Sequence, residues 1–321
     1  MQHMNASKTV RLPSLVETIS QGFGIVNKRP WVLLIPLLLD LVYWLGPRIS
    51  PQPLAGRLLS FAKAIDPQSW DAQRQQLADQ INTVQSPVDL SPVSFIPNML
   101  PKFLNLLTPL IDTPTPPFTP GTWHIGSFAT LLGSIMLING LSLLATALFL
   151  VPMAELIRGR DGARLSLSWL ARAFGSFVSI LVLIAAIALL VFLPFTLVAA
   201  LVLQINSVLG QIIFTFGIAL IFWLLFTASF SFDAVLISGV GPIRALLTSL
   251  LVVQRSFWSA LGLFLIGWVI LWGMSVVWAP VAASMIGLIV ALIGSAYISS
   301  GLAAAHLVFY RDRLSRSAQR T

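Results

Sequence analysis

No Asp, Glu, Lys or Arg occurs between Arg172 and Asp233, nor between Arg255 and Arg311. These tracts, and the shorter apolar runs before them, divide into stretches of about 20 residues or more, the length at which an α-helix crosses about 30 Å of hydrocarbon. Backbone N–H and C=O groups find no water there, so they must be bonded within the segment, and a helix does this. Composition agrees. Hydrophobic residues are 57% and charged residues 9% of the 321 positions, against roughly 25% charged in a soluble domain. The fold class predicted is all-α: a polytopic membrane protein, with 1–321 forming a single integral membrane domain.

Six spans can be drawn, over about 30–48, 126–157, 177–203, 209–237, 257–279 and 281–309. Trp278-Ala279-Pro280 interrupts a run too long for one crossing, because proline removes a backbone donor, so the last two spans should form a tight hairpin. Gln204, Asn206 and Gly210 mark a similar short turn. The first span is preceded by amphipathic residues and contains Asp40, which reads as a retained span, not a cleaved signal.

Basic residues then set the orientation. Lys8, Arg11, Lys28 and Arg29 precede the first span; Arg158, Arg160, Arg164 and Arg172 lie between the second and third; Arg244 and Arg255 lie between the fourth and fifth; Arg311, Arg313, Arg316 and Arg320 follow the sixth. All fall on one side, which is therefore the cytoplasmic side of the cell membrane, with both termini inside. The net charge of +8 is thereby explained by topology and not by a nucleic-acid partner.

Within this pattern a unit recurs three times: an amphipathic stretch, a basic or small polar residue, then aromatics opening an apolar run. It appears as Ser14 to Lys28 before Arg29-Pro30-Trp31, as Arg164 to Ser176 before Phe177, and as Pro242 to Gln254 before Arg255-Ser256-Phe257-Trp258. Three interfacial amphipathic helices related as a pseudo-repeat are expected. In the first, Leu12, Leu15, Val16, Ile19, Phe23 and Val26 form the apolar face; in the third, Ile243, Leu246, Leu247, Leu250 and Leu251 lie opposite Arg244, Thr248 and Arg255. Arg29, Arg172, Arg244 and Arg255 are the candidates for meeting anionic lipid headgroups, the expected partner on that face.

The segment 49–125 is read as an outer, helical and Pro-rich insertion between the first two spans. Asp66-Pro67 supplies a cap and a first helical residue, and Thr113 to Pro120 reads as an extended polyproline-like strut.

Ionisable or strongly polar residues inside spans are candidates for function, because lipid is a poor solvent for them. These are Asp40, Asn139 and Asp233. Asp40 is placed to reach the outer interface, Asn139 to hydrogen-bond a neighbouring helix, and Asp233, Glu155 and His306 to be neutralised by Arg158, Arg244 or Arg311. Gly287, Ala291, Ser295 and Ser299 recur every four residues and form a helix-packing stripe for another span or a second copy of the chain.

Cysteine is absent, and His3, His124 and His306 are far apart. No cofactor or metal is expected, and no catalytic residue: neither a zinc-protease, a nucleophile-elbow nor a phosphate-loop motif occurs. The chain reads as an envelope- or lipid-associated structural or accessory component, not an enzyme. A small-molecule or lipid transporter is the alternative, with Pro194 and Asn139-Gly140 as its candidate helix interruptions and Asp40, Asn139, Thr196 and Asp233 as residues to converge on a pocket.

The segment Asp233 to Ser249, with Gly239 and Gly241, followed by Gln254-Arg255-Ser256-Phe257-Trp258, resembles the repeating segment of bacterial proteins related to the membrane domain of glycerophosphoryl diester phosphodiesterase and the YciC-like integral membrane proteins. Gly22-Phe23 through Asp40 is similar to the way such proteins often begin. Ser238 stands where an acidic residue often precedes the glycine pair. The resemblance implies a multi-helix membrane fold with interfacial helices. It does not bring the phosphodiesterase reaction, which belongs to a separate soluble barrel.

Overall fold

The computed structural model describes residues 13–45, 48–50, 121–159 and 167–318, with isolated positions between 53 and 61 and at 117. The architecture is all-α, with five helices long and apolar enough to cross a membrane. In chain order the elements are α1 (Leu15–Lys28), a 3-10 turn (Pro30–Leu33), α2 (Leu34–Leu45), short strands β1 (Arg48–Ser50) and β2 (Thr122–His124), then α3 (Phe128–Ile157), α4 (Leu167–Leu203), α5 (Ser207–Thr227), α6 (Ser231–Ser238), α7 (Pro242–Arg255), α8 (Phe257–Val281) and α9 (Met285–Ala318). They divide between two units, one holding Met1–Leu33, Ala147–Met274 and Ala296–Thr321, the other Leu34–Thr146 and Ser275–Ser295.

In the second unit Ala282, Leu288, Ala291 and Leu292 are buried at the hairpin between α8 and α9, with Leu37, Trp44, Trp278 and Ala279 packed on them. The hairpin forms where proline was read to break the run, a few residues later: Pro280 lies in the last turn of α8, and Ala282 to Ser284 make the reversal. Ser284 Oγ accepts the Gly287 N–H and so caps α9. β1 and β2 pair in parallel, Arg48 opposite Thr122 and Ser50 opposite His124, which closes the two ends of the 49–125 insertion on each other. The helix expected after Asp66 and the strut at 113–120 lie outside the described residues.

The first apolar run is shorter than the five long apolar helices. Its four-residue 3-10 turn and 12-residue helix together rise about 26 Å, below the hydrocarbon thickness. Asp40, expected to reach an interface, is buried within the second unit.

In the first unit the middle of the three repeats does not form as expected. The stretch leading to Phe177 does not turn into its span, because α4 runs unbroken over 37 residues from Leu167 to Leu203 and carries Arg172 inside it. Nothing between Arg172 and Phe177 removes a backbone donor, and a single Gly175 costs a helix only about 1 kcal/mol. At the other two copies the chain does break: α1 ends at Arg29 before Pro30, and α7 ends at Ser256 before Phe257. Arg160 and Arg164 lie outside the described residues. The α4–α5 turn is as expected, with Asn206 Oδ1 capping α5 at Leu209 N–H. Along α4 and α5 Leu189, Leu190, Leu201 and Phe222 are exposed, an apolar surface suited to lipid.

α1 begins with a reciprocal cap, Ser14 Oγ accepting from Glu17 N–H while Glu17 Oε2 accepts from Ser14 N–H. Its buried face is rotated from the expected one: Thr18, Gly22 and Val26 are buried and Val16 is exposed. The cause is close packing on α9, where a Cβ at Gly22 would stand 2.5 Å from Ala305 N and from Gly301 O. Phe23 packs on Tyr297 at 5.3 Å between ring centroids, and Tyr297 Oη donates to Asn27 Oδ1.

Candidate functional site

The polar groups of the first unit gather where α6, α7, the end of α3 and the last turns of α9 meet. Local sequence explains the meeting. The run Thr227-Ala-Ser-Phe-Ser231 places hydroxyls in an otherwise apolar stretch, and the helix opens there, between α5 and α6. Ser249 of α7, fully buried, fills the opening: its Oγ donates to Thr227 O at 2.6 Å and accepts from Phe230 N–H at 3.0 Å. One hydroxyl thus satisfies a carbonyl and an amide beside the break and ties α7 to it. Ser249→Ala leaves both groups buried and unpaired, so the melting temperature of the purified protein is expected to fall, for a loss of about 2 kcal/mol.

From the break, α6 runs with Ser231 to Leu236 all buried and ends at Gly239, whose φ of +65° suits glycine. Asp233 on this helix is 5% exposed, and its Oδ2 meets His306 Nδ1 of α9 at 3.0 Å. The imidazole stacks on Phe230, ring centroids 4.4 Å apart, with Phe264 edge-on. His306 Nε2 is buried without a hydrogen-bond partner.

Of the arginines expected to neutralise these acids, Arg158 pairs with Glu155 as expected and also donates to Ile237 O at the end of α6, whereas Arg311 pairs with Asp312 and donates to Ile157 O at the end of α3. Each therefore caps a helix C-terminus, where carbonyls lack intrahelical partners and the dipole favours a cation. Ser238 Oγ and Tyr310 Oη lie 3.1 Å apart and add a further link between α6 and α9. Arg244 is exposed and Asp233 takes histidine as its partner.

The remaining sequence candidates are dispersed. Asn139 Nδ2 donates to Ile135 O of its own helix, in place of the interhelical bond expected. Thr196 Oγ1 is spent on Leu193 O, and α4 continues through Pro194. Asp40 and Asn139 belong to one unit, Thr196 and Asp233 to the other. Ala291, Ser295 and Ser299 of the stripe are buried, and Gly287 faces the Val281 carbonyl.

α7 presents two apolar faces of different kinds. The small side, Ala245, Ser249, Val252 and Val253, is buried. The large side is open: Ile243, Leu247 and Leu251 are 64%, 54% and 47% exposed. Arg244 and Arg255 lie between the two faces and are exposed. A carboxylate–imidazole pair can orient a base or a metal ligand. Among the described residues no group of three or more His, Asp or Glu side chains is placed to hold a metal. In comparisons with known proteins, no family model, curated protein or solved structure matches this chain.

Proposed function

We propose that the chain is a multi-pass protein of the cytoplasmic membrane and acts as a non-catalytic, lipid-associated structural or accessory component of the envelope. The observation that carries this reading is α7, whose small residues face protein while Ile243, Leu247 and Leu251 face outward beside two arginines. That distribution suits a helix half-sunk in the interface, where acyl chains take the large residues and headgroups the cations. α1 and α7 each stop at a corner before an apolar helix, which supports a pseudo-repeat of two interfacial helices. The resemblance carried by Asp233 to Trp258 points the same way.

A small-molecule or lipid transporter is the second reading, favoured by the opening between α5 and α6. Its depth argues for the first. α5 has 21 residues before the break, a rise of about 31 Å, so the opening falls at the end of a crossing, whereas transport sites sit near the midplane.

Both readings place an even number of crossings in the membrane, with Pro30–Leu45 as a short sixth span tolerated by local thinning of the bilayer. Reporter fusions after Arg255 and after α9 are expected to read cytoplasmic, and one near Gln85 external. Fusions at Gln85 and after Arg255 reporting the same side would remove the six-span assignment.

A further inference from the structure

We propose that α7 and the aromatic corner after it form a binding surface for anionic phospholipid, selecting lipid by net charge. The proposal rests on the interfacial placement of α7 argued above and adds the chemistry of its partner. Three observations carry it.

The first is the pairing of the exposed row Ile243, Leu247 and Leu251 with Arg244 and Arg255 along one side of it. No acidic residue occurs in α7, so neither arginine is neutralised on its own helix. The second is the corner itself. Trp223 of α5 lies 5.9 Å from Phe257 between ring centroids, Phe226 packs edge-on at 5.8 Å, and Phe257 holds Trp258 at 5.2 Å. Trp258, three residues after Arg255, is 80% exposed. Indoles with an apolar body and an N–H donor settle at headgroup level, which sets the depth of Arg255 beside them. The third is rigidity: Ser249 fastens the opposite face of α7 to the break after α5, so the row and the arginines are presented as one surface.

The spacing defines what is recognised. Arg244 and Arg255 are separated by 11 positions, about 16 Å along the helix, too far for one phosphate to bridge. Each meets its own headgroup. The surface therefore favours negatively charged lipids as a class over zwitterionic ones, with no demand on the shape of the polar group.

The natural absence of cysteine permits a direct test on the full chain. Leu247→Cys carries an environment-sensitive fluorophore on the open row, and the labelled protein is reconstituted in phosphatidylcholine vesicles containing a minor fraction of phosphatidylglycerol. Bromine is placed on the acyl chains either of the phosphatidylglycerol or of an equal fraction of the phosphatidylcholine. Brominated phosphatidylglycerol is expected to quench more strongly, corresponding to about fivefold local enrichment for each arginine. The Arg244→Gln/Arg255→Gln pair should equalise the two lipids, and Arg244→Lys/Arg255→Lys should keep the preference. Equal quenching by both lipids in the unsubstituted arginine background would overturn charge selection and leave the interfacial placement standing. Quenching by neither would overturn both, and disulfide-linked dimers of unlabelled Leu247→Cys would then identify a second copy as what covers the row.

Discussion

Gly22→Leu is expected to detach α1 from α9 and to give one of the two largest destabilisations expected in the first unit. The atoms a side chain would meet at this position are backbone, Ala305 N and Gly301 O at 2.5 Å from the first carbon alone. Backbone cannot rotate away as a side-chain tip can, so the helices must separate. Overpacking typically costs 1–3 kcal/mol, and here separation also uncovers Thr18, Val26 and the contact of Phe23 with Tyr297, so a loss of about 4 kcal/mol is expected. Hydrogen exchange reads it locally: amides of α1 should lose protection while those of α4 and α5 keep theirs. Unchanged protection of α1 in Gly22→Leu would show that this close approach does not hold the helix.

The second large effect is expected at Asp233 and His306. Removing one partner of a buried polar pair leaves the other desolvated, at a cost of about 3–5 kcal/mol. His306→Ala strands a carboxylate 5% exposed to solvent and also removes the ring stacked on Phe230. Replacing both members by apolar groups, Asp233→Leu with His306→Phe, retains the stacking surface and is expected to recover most of the loss. A double-substitution cycle of thermal melts in detergent measures the coupling. Additive single effects, with no recovery in the double variant, would mean that the pair does not act as a unit.

How much of this was legible in the sequence depends on the range of the physics involved. Short-range signals read correctly: the turn at Gln204 to Gly210 between α4 and α5, the hairpin after Trp278, and the breaks at Arg29-Pro30 and near Arg255-Ser256 are each decided by a few adjacent residues. The stretch before Phe177 was misjudged because its composition matches the other two while the breaking residue is missing. The opening after Thr227 had a local trace, hydroxyls in an apolar run, but its stabilising partner Ser249 lies 22 residues further on. Asp233 and His306 are 73 residues apart, and periodicity carries no information across that distance. In the sequence the arginines could be read only as a group flanking the apolar runs. Their individual duties, two capping helix ends and two exposed on or beside α7, depend on which helix end stands opposite each, and that is settled only by packing.

The placement of His306, Tyr310 and Arg311 on α9 has a consequence for biosynthesis. Their partners Asp233, Ser238 and the Ile157 carbonyl belong to helices that leave the ribosome earlier. Until α9 emerges, a translating chain holds a carboxylate without its imidazole and two helix segments without their closing contacts. Insertion into the bilayer can proceed one helix at a time, but completion of the first unit is a single late step, made when α9 docks. Gly22 lies in the same position in time: the close backbone approach of α1, made before the other helices described, waits until Gly301 and Ala305 have been synthesised.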